Sequence, residues 1–192
     1  MNHLIKVVGL DPSLRNWGWS IGELNLHTGE LKIKQVGVIN PDVPEGKQVR
    51  QNSKDLASSF DLYTGAAEVM RDSFMTFVEV PIGSQSARAM ASYGICVGVL
   101  GALRAESLHF YEVTPTEVKL ATGLPKTATK DQMIDWAIQQ HPEANWPTYK
   151  EAGLQVISKA KAEHCADATA AIHAGLRSPH VQQMIQLLKR ST

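Results

Sequence analysis

The sequence predicts a mixed α/β fold, an open sheet with helices on both faces. Three observations predict it. The first forty residues hold three β-like runs in hairpin connection. The rest of the chain alternates helical and strand segments. The 192 residues, 43% hydrophobic and 20% charged, suffice for one ordinary core. A single domain over 1–192 is expected, and wholesale disorder, collagen-like repeats and low-complexity tails are excluded by composition.

Ile5 to Leu10 is β-branched and apolar, Trp17 to Leu24 partly alternates, and Leu31 to Ile39 alternates apolar residues with lysine and glutamine. His27-Thr28-Gly29-Glu30 suits a hairpin turn. A polar stretch, Pro41 to Lys54, reads as an exposed loop before a helix over about Asp55 to Ser73. A strand follows from Phe74 to Val80, ended by Pro81. Gly83 to Glu106 is expected to be a long helix whose small residues Ala87, Ala91, Gly94, Gly98, Gly101 and Ala105 recur every three or four positions. Such a face admits close approach of another backbone.

Leu108 to Val113 reads as a strand. Thr114-Pro115-Thr116-Glu117 then combines a cap, an N1 proline and an N3 acid, the pattern of a helix start. Thr129 caps a helix to Gln140. His141 to Lys161, with two prolines, reads as an irregular insert with room for a short helix. Ala162 to Gly175 is an alanine-rich helix, and Val181 to Arg190 a terminal one.

Lysine plus arginine equals aspartate plus glutamate at 19 each, so no basic excess advertises a phosphate-binding surface. The two cysteines, Cys96 and Cys165, lie in apolar stretches without zinc-like spacing, which suits buried thiols in a reducing compartment. No signal peptide is read at the start, and the longest apolar run, Ala89 to Leu103, is 15 residues, short of a membrane span. A cytoplasmic protein without membrane contact is expected.

The chemistry is expected at three acids. Asp11 follows an apolar strand, at the carboxyl end where open α/β sheets place ligands. Glu79 sits beside Phe77, Val78 and Val80, where an acid is costly unless paired or metal-bound. Asp167 lies in Glu163-His164-Cys165-Ala166-Asp167, three residues after His164 and four after Glu163, so these side chains share one region of a helix surface. Carboxylates and an imidazole suit Mg²⁺ or Mn²⁺. Two such ions roughly 4 Å apart would clamp the attacking and leaving oxygens of a phosphodiester. Metal-assisted phosphodiester hydrolysis is the inferred reaction.

These residues resemble the RuvC-like Holliday junction resolvases of the ribonuclease H-like fold. Val8-Gly9-Leu10-Asp11-Pro12-Ser13 with Gly18 resembles the opening strand motif, Phe77-Val78-Glu79 the second acid, and Val118-Lys119, Lys130 and His164-x-x-Asp167 follow in family order. The resemblance implies a mixed five-stranded sheet, three antiparallel strands followed by parallel ones. It implies Asp11, Glu79, His164 and Asp167 as ligands of about two Mg²⁺ or Mn²⁺ ions, with Glu163 the alternative to His164. Lys119 and Lys130 would stand near the phosphate. It further implies a homodimer making paired nicks in four-way junctions during recombination and repair, in a bacterial or phage-infected cytoplasm.

Departures are visible: Ser13 replaces a usual glycine, Trp17 a common threonine, and Ile82 stands where an aromatic is frequent. The 141–161 insert, with Lys150, Lys159, Lys161, Trp146 and Tyr149, is a surface loop or an added DNA or dimer element. Lys47, Arg50 and Lys54 offer a further DNA-facing charge run. Trp17 and Trp19 could stack on bases, although core packing is the more ordinary use of such residues. Two alternatives remain at this stage, a ribonuclease H-like nuclease acting on RNA or flaps and a non-catalytic junction-binding protein. An actin-like ATPase would need a second Asp-x-Gly segment and greater length.

Overall fold

The structure, a computed structural model, describes residues 3–46 and 48–191, so Lys47 lies outside the described residues. Strands β1 (Leu4–Asp11), β2 (Trp17–Asn25) and β3 (Leu31–Ile39) form an antiparallel meander. After helix α1 (Gln51–Met70), strand β4 (Met75–Glu79) pairs parallel to β1. After helix α2 (Ala87–Ala105), β5 (Tyr111–Val113) pairs parallel to β4. The sheet order is β3-β2-β1-β4-β5, the expected three antiparallel strands followed by parallel ones. Helices α3 (Pro115–Ala121), α4 (Lys130–Gln140), α5 (Lys159–Arg177) and α6 (Pro179–Ser191) complete the chain.

Strand alternation divides the apolar residues between two layers. Val7, Met75 and Phe77 pack with Val118, Met133, Ala166, Ile172 and Val181, on the face covered by α3 to α6. Val8, Leu10 and Val78 pack on the other face with Leu62 and Ala66 of α1 and Cys96 and Leu100 of α2. Trp17 is fully buried in this second layer, which removes it as a base-stacking residue. Both cysteines are buried free thiols whose pKa values burial pushes up to about 12, so they stay protonated.

The alanines of α5 have a steric reason. A Cβ added to Gly9 would stand 1.9 Å from the Ala168 carbonyl oxygen, and one on Gly18 would stand 2.1 Å from that of His164. The helix backbone therefore lies directly on β1 and β2, where bulkier residues on either side would lift it away. Thr169 Oγ1 donates to Ser20 Oγ at 3.0 Å and tightens the contact.

Several boundaries differ from expectation. Helix α1 begins earlier, at Gln51. Helix α2 begins at Ala87 rather than Gly83, because Gly83 takes φ 112° and the Ser86 hydroxyl caps the first turn. Strand β5 shortens to Tyr111–Val113. Within the insert no separate short helix forms before α5 begins at Lys159; instead β6 (Thr148–Glu151) and β7 (Leu154–Ile157) make an antiparallel hairpin. Its turn, Ala152-Gly153, has both φ values positive, at 48° and 84°. That geometry matches strand twist, but alanine is an unusual residue for it, so the usual sequence signal was missing.

Candidate active site

Asp11 ends β1 and Glu79 ends β4, and Leu10 is in register with Val78. The parallel pairing therefore sets the two carboxylates side by side on the carboxyl edge of the sheet. Helix α5 runs antiparallel to β1, since His164 lies over Gly18 and Ala168 over Gly9. Its first turns consequently project over that edge. His164 Nδ1 is 2.5 Å from Asp11 Oδ2, and one helical turn on, Asp167 faces the same two acids. Glu163 pairs instead with Lys130 Nζ at 2.6 Å.

Electrostatics mark this as a strained cluster. Burial, then the charges of Asp11 and Asp167, push the Glu79 pKa up to about 8, against a smaller downward pull from Lys119. Burial also raises Asp167, with Asp11 and Glu163 adding repulsion that His164 and Lys119 only partly offset. His164 is moved the other way by burial, but its bond to Asp11 and the charges of Asp11, Glu163 and Asp167 outweigh burial and raise its pKa. Lys130 is likewise raised, first by its hydrogen bond to Glu163. Perturbation in a cleft by burial plus specific charges marks a candidate functional site.

The acids line a cleft of about 660 Å³, together with Arg15, Asn16, Ile82, Arg88, Ser92 and Tyr93. Arg15, Arg88 and Tyr93 were not anticipated. Arg15 belongs to the loop directly after Asp11, a signal that was legible; Arg88 and Tyr93 lie in the first two turns of α2, which line the cleft. Arg88 is held by Asp55 at 3.0 Å, bracing α2 against α1. Ile82 is 80% exposed on the rim. Lys119 is tied to the Ala128 carbonyl at 3.3 Å and acts on Glu79 and Asp167 through its charge. Arg50 is exposed at the start of α1 and does not line the cleft.

Among the described residues no group of three or more His, Cys, Asp or Glu side chains is arranged to hold a metal ion in its present rotamers. Asp11 is turned to His164 and Glu163 to Lys130. The donor chemistry nevertheless fits a hard cation. Asp11, Glu79 and Asp167 offer oxygen atoms whose mutual repulsion a divalent charge would relieve.

No protein-family model matches the chain, and no curated protein matches it. Among solved structures, Thermus thermophilus RuvC in complex with a Holliday junction substrate superposes with a TM-score of 0.60 at 18% identity, over 88% of this chain and 92% of that one. A second Thermus thermophilus RuvC structure gives 0.57 at 19% identity over the same shares. The chain thus has the ribonuclease H-like fold of RuvC. Among the described residues no helix is long and apolar enough to cross a membrane.

Proposed function

We propose that this protein is a divalent-metal-dependent endonuclease that cuts branched DNA, four-way junctions above all, by phosphodiester hydrolysis. The observation that carries the reading is the half-buried acid cluster of Asp11, Glu79 and Asp167, with Glu79 held near pKa 8, in a cleft at the sheet's carboxyl edge. The fold shared with a RuvC solved on a Holliday junction supports the choice of substrate. A purely binding protein would leave unexplained why three repelling acids are gathered where DNA phosphates, also anionic, would lie.

Asp11, Glu79 and Asp167, with His164 or Glu163, would hold one or two Mg²⁺ or Mn²⁺ ions. Bound there, the metal supplies Lewis acidity and charge neutralisation at the scissile phosphate. The chain's own residues do the rest. The Asp11 bond orients the His164 ring at the cleft. Lys130 and Lys119 bring fixed positive charge to the rim of a strongly acidic site, where they steady the phosphate. Pairing with Glu163 holds Lys130 in place until substrate competes for it.

Paired nicks across a junction need two sites, and the dimer we propose forms through the α1–α2 face. Leu56 and Phe60 are 72% and 68% exposed there, beside a groove that includes Tyr63, Ile95 and Gly98. Added Cβ atoms on Gly94, Gly98 and Gly101 would meet nothing within 4 Å among the described residues, so this face has room for a second copy.

The test is nicking of synthetic junctions, flaps, linear duplexes and RNA–DNA hybrids with and without Mg²⁺. Metal-dependent, symmetric nicking of junctions in preference to the others is expected. Asp11→Asn should lower it at least 1,000-fold while junction affinity stays within about threefold. Preferential cleavage of hybrids or flaps would favour the RNA-directed reading, and normal cutting by the variant would refute the role of Asp11.

A further inference from the structure

The ten residues from Thr148 to Ile157 form a hairpin whose first strand is exposed throughout and which packs little against the body. An isolated two-stranded ribbon is only marginally stable in water. This one is fastened at its base. Ser158 N donates to the Pro147 carbonyl at 2.8 Å, and the buried Trp146 donates Nε1–H to the His141 carbonyl at 2.9 Å. Asn145 Oδ1 accepts from Val36 N at 2.8 Å on the edge strand β3. Apart from Ile157, which packs on the core, the ribbon so anchored stands largely exposed among the described residues.

Its position follows from α5. Because that helix runs antiparallel to β1, its start at Lys159 stands at the sheet's carboxyl edge, and the hairpin leads straight into it. Ser158 and Glu163 are separated by about 8 Å along the helix axis, and the four-residue strands reach roughly 13 Å beyond. The arm therefore springs from the margin of the acid cleft.

Its side chains also suit one kind of partner. Leu154 is 70% exposed and Tyr149 46% exposed, and the register places both on one face with Val156. Lys150 lies on the opposite face beside Gln155. Exposed Lys161 and Lys159 follow at the base, Lys159 paired with Asp131 at 2.9 Å, and Lys130 of the neighbouring α4 pairs with Glu163 at 2.6 Å. Segment 119–161 carries six lysines against four acids in a chain otherwise without basic excess. Glu151, the acid on the ribbon, accepts the Tyr149 hydroxyl at 3.2 Å. Lys150 on one face for phosphates, with a leucine and a tyrosine on the other for sugar faces or an opened base step, suits a ribbon laid along a DNA groove.

We propose that the β6–β7 hairpin is a DNA-gripping arm that lies along a duplex arm of the substrate while its phosphodiester sits in the cleft. This rests on the nuclease reading and adds to it an element that sets affinity, not chemistry. The test combines Tyr149→Ala, Lys150→Ala and Leu154→Ser, all exposed positions whose change leaves the core untouched, with melting temperature as the check. Junction affinity is measured without divalent ion over a range of salt, nicking is measured at saturating protein with Mg²⁺, and sedimentation reports oligomeric state.

The expected result is a Kd raised at least tenfold, a salt dependence shallower by about one ion, nicking at saturation within twofold of the parent and an unchanged oligomer. A Kd within twofold of the parent overturns the arm while leaving the nuclease reading intact. Loss of the dimer in the triple variant also overturns it, by assigning the ribbon to a second copy. A parent protein that binds no DNA would fail both ideas, and the parent control alone identifies that case.

Discussion

Asp11 holds an imidazole on one side and raises the proton affinity of two acids on the other, so its charge organises the whole cleft. Glu79 shows the consequence for stability. Its folded pKa, about 8, lies above the ordinary 4.5, so the folded protein keeps a proton that the unfolded chain has already released. Stability contributed by that proton is present at low pH and lost as pH rises from about 4.5 to 8. His164 and Asp167, both raised, act in the same direction. Metal-free Glu79→Gln should therefore melt about 5 °C above the parent at pH 8, from roughly 2 kcal/mol of relieved desolvation and repulsion. The gap should close near pH 5. A variant that melts lower than the parent at pH 8 would mean that Glu79 is stabilised as a carboxylate.

Among the elements, α5 does most to position the site, and it does so through what is missing from β1 and β2. Gly18→Ala would drive a methyl group into the His164 carbonyl, a backbone atom that cannot swing aside. A loss of about 3 kcal/mol or more, with nicking reduced beyond what the unfolded fraction explains, is expected from thermal melts and rate assays. Gly98→Ala is the contrast, because its new Cβ meets open space. It should leave the monomer as stable or up to about 1 kcal/mol more so, yet weaken the proposed dimer, as sedimentation would show. The strands and their carboxyl-edge acids were legible because periodicity and apolar flanks mark them locally. The start of α2 was not, since it depends on the positive φ of Gly83 and the Ser86 cap, and apolar composition alone ran past both. The hairpin was missed because an Ala-Gly turn lacks the usual Asn or Asp.

Over the whole molecule, pH has a second, opposing effect far from the cleft. His141 and His173 meet Nε2 to Nε2 at 2.9 Å between α4 and α5. Burial, then the neighbouring His141 and Arg177, depress His173 to about 4, and burial lowers His141 as well. A histidine with a depressed pKa is neutral in the fold while the unfolded chain is protonated, so this pair costs stability as pH falls from about 6.5 to 4. Replacing His173 with glutamine should flatten that acid limb in a series of thermal melts, whereas an unchanged limb would place it elsewhere. The mixed sheet with helices on both faces was readable from the chain, whereas its antiparallel and parallel halves were expected only from the resemblance and the strand order came from the structure. Side-chain partnerships such as Lys130 with Glu163 were not, because they join residues whose proximity only the packing of α4 on α5 creates.

We propose that the acid cleft holds a divalent cation, and Mn²⁺ titration by calorimetry reads that binding without depending on DNA or nicking. The parent should bind saturably and at least tenfold more tightly at pH 8 than at pH 6, since the raised acids must lose their protons to ligate. Asp167→Asn should lose at least tenfold in affinity. Equal binding by parent and variant, or no binding by the parent at pH 8, would contradict the account.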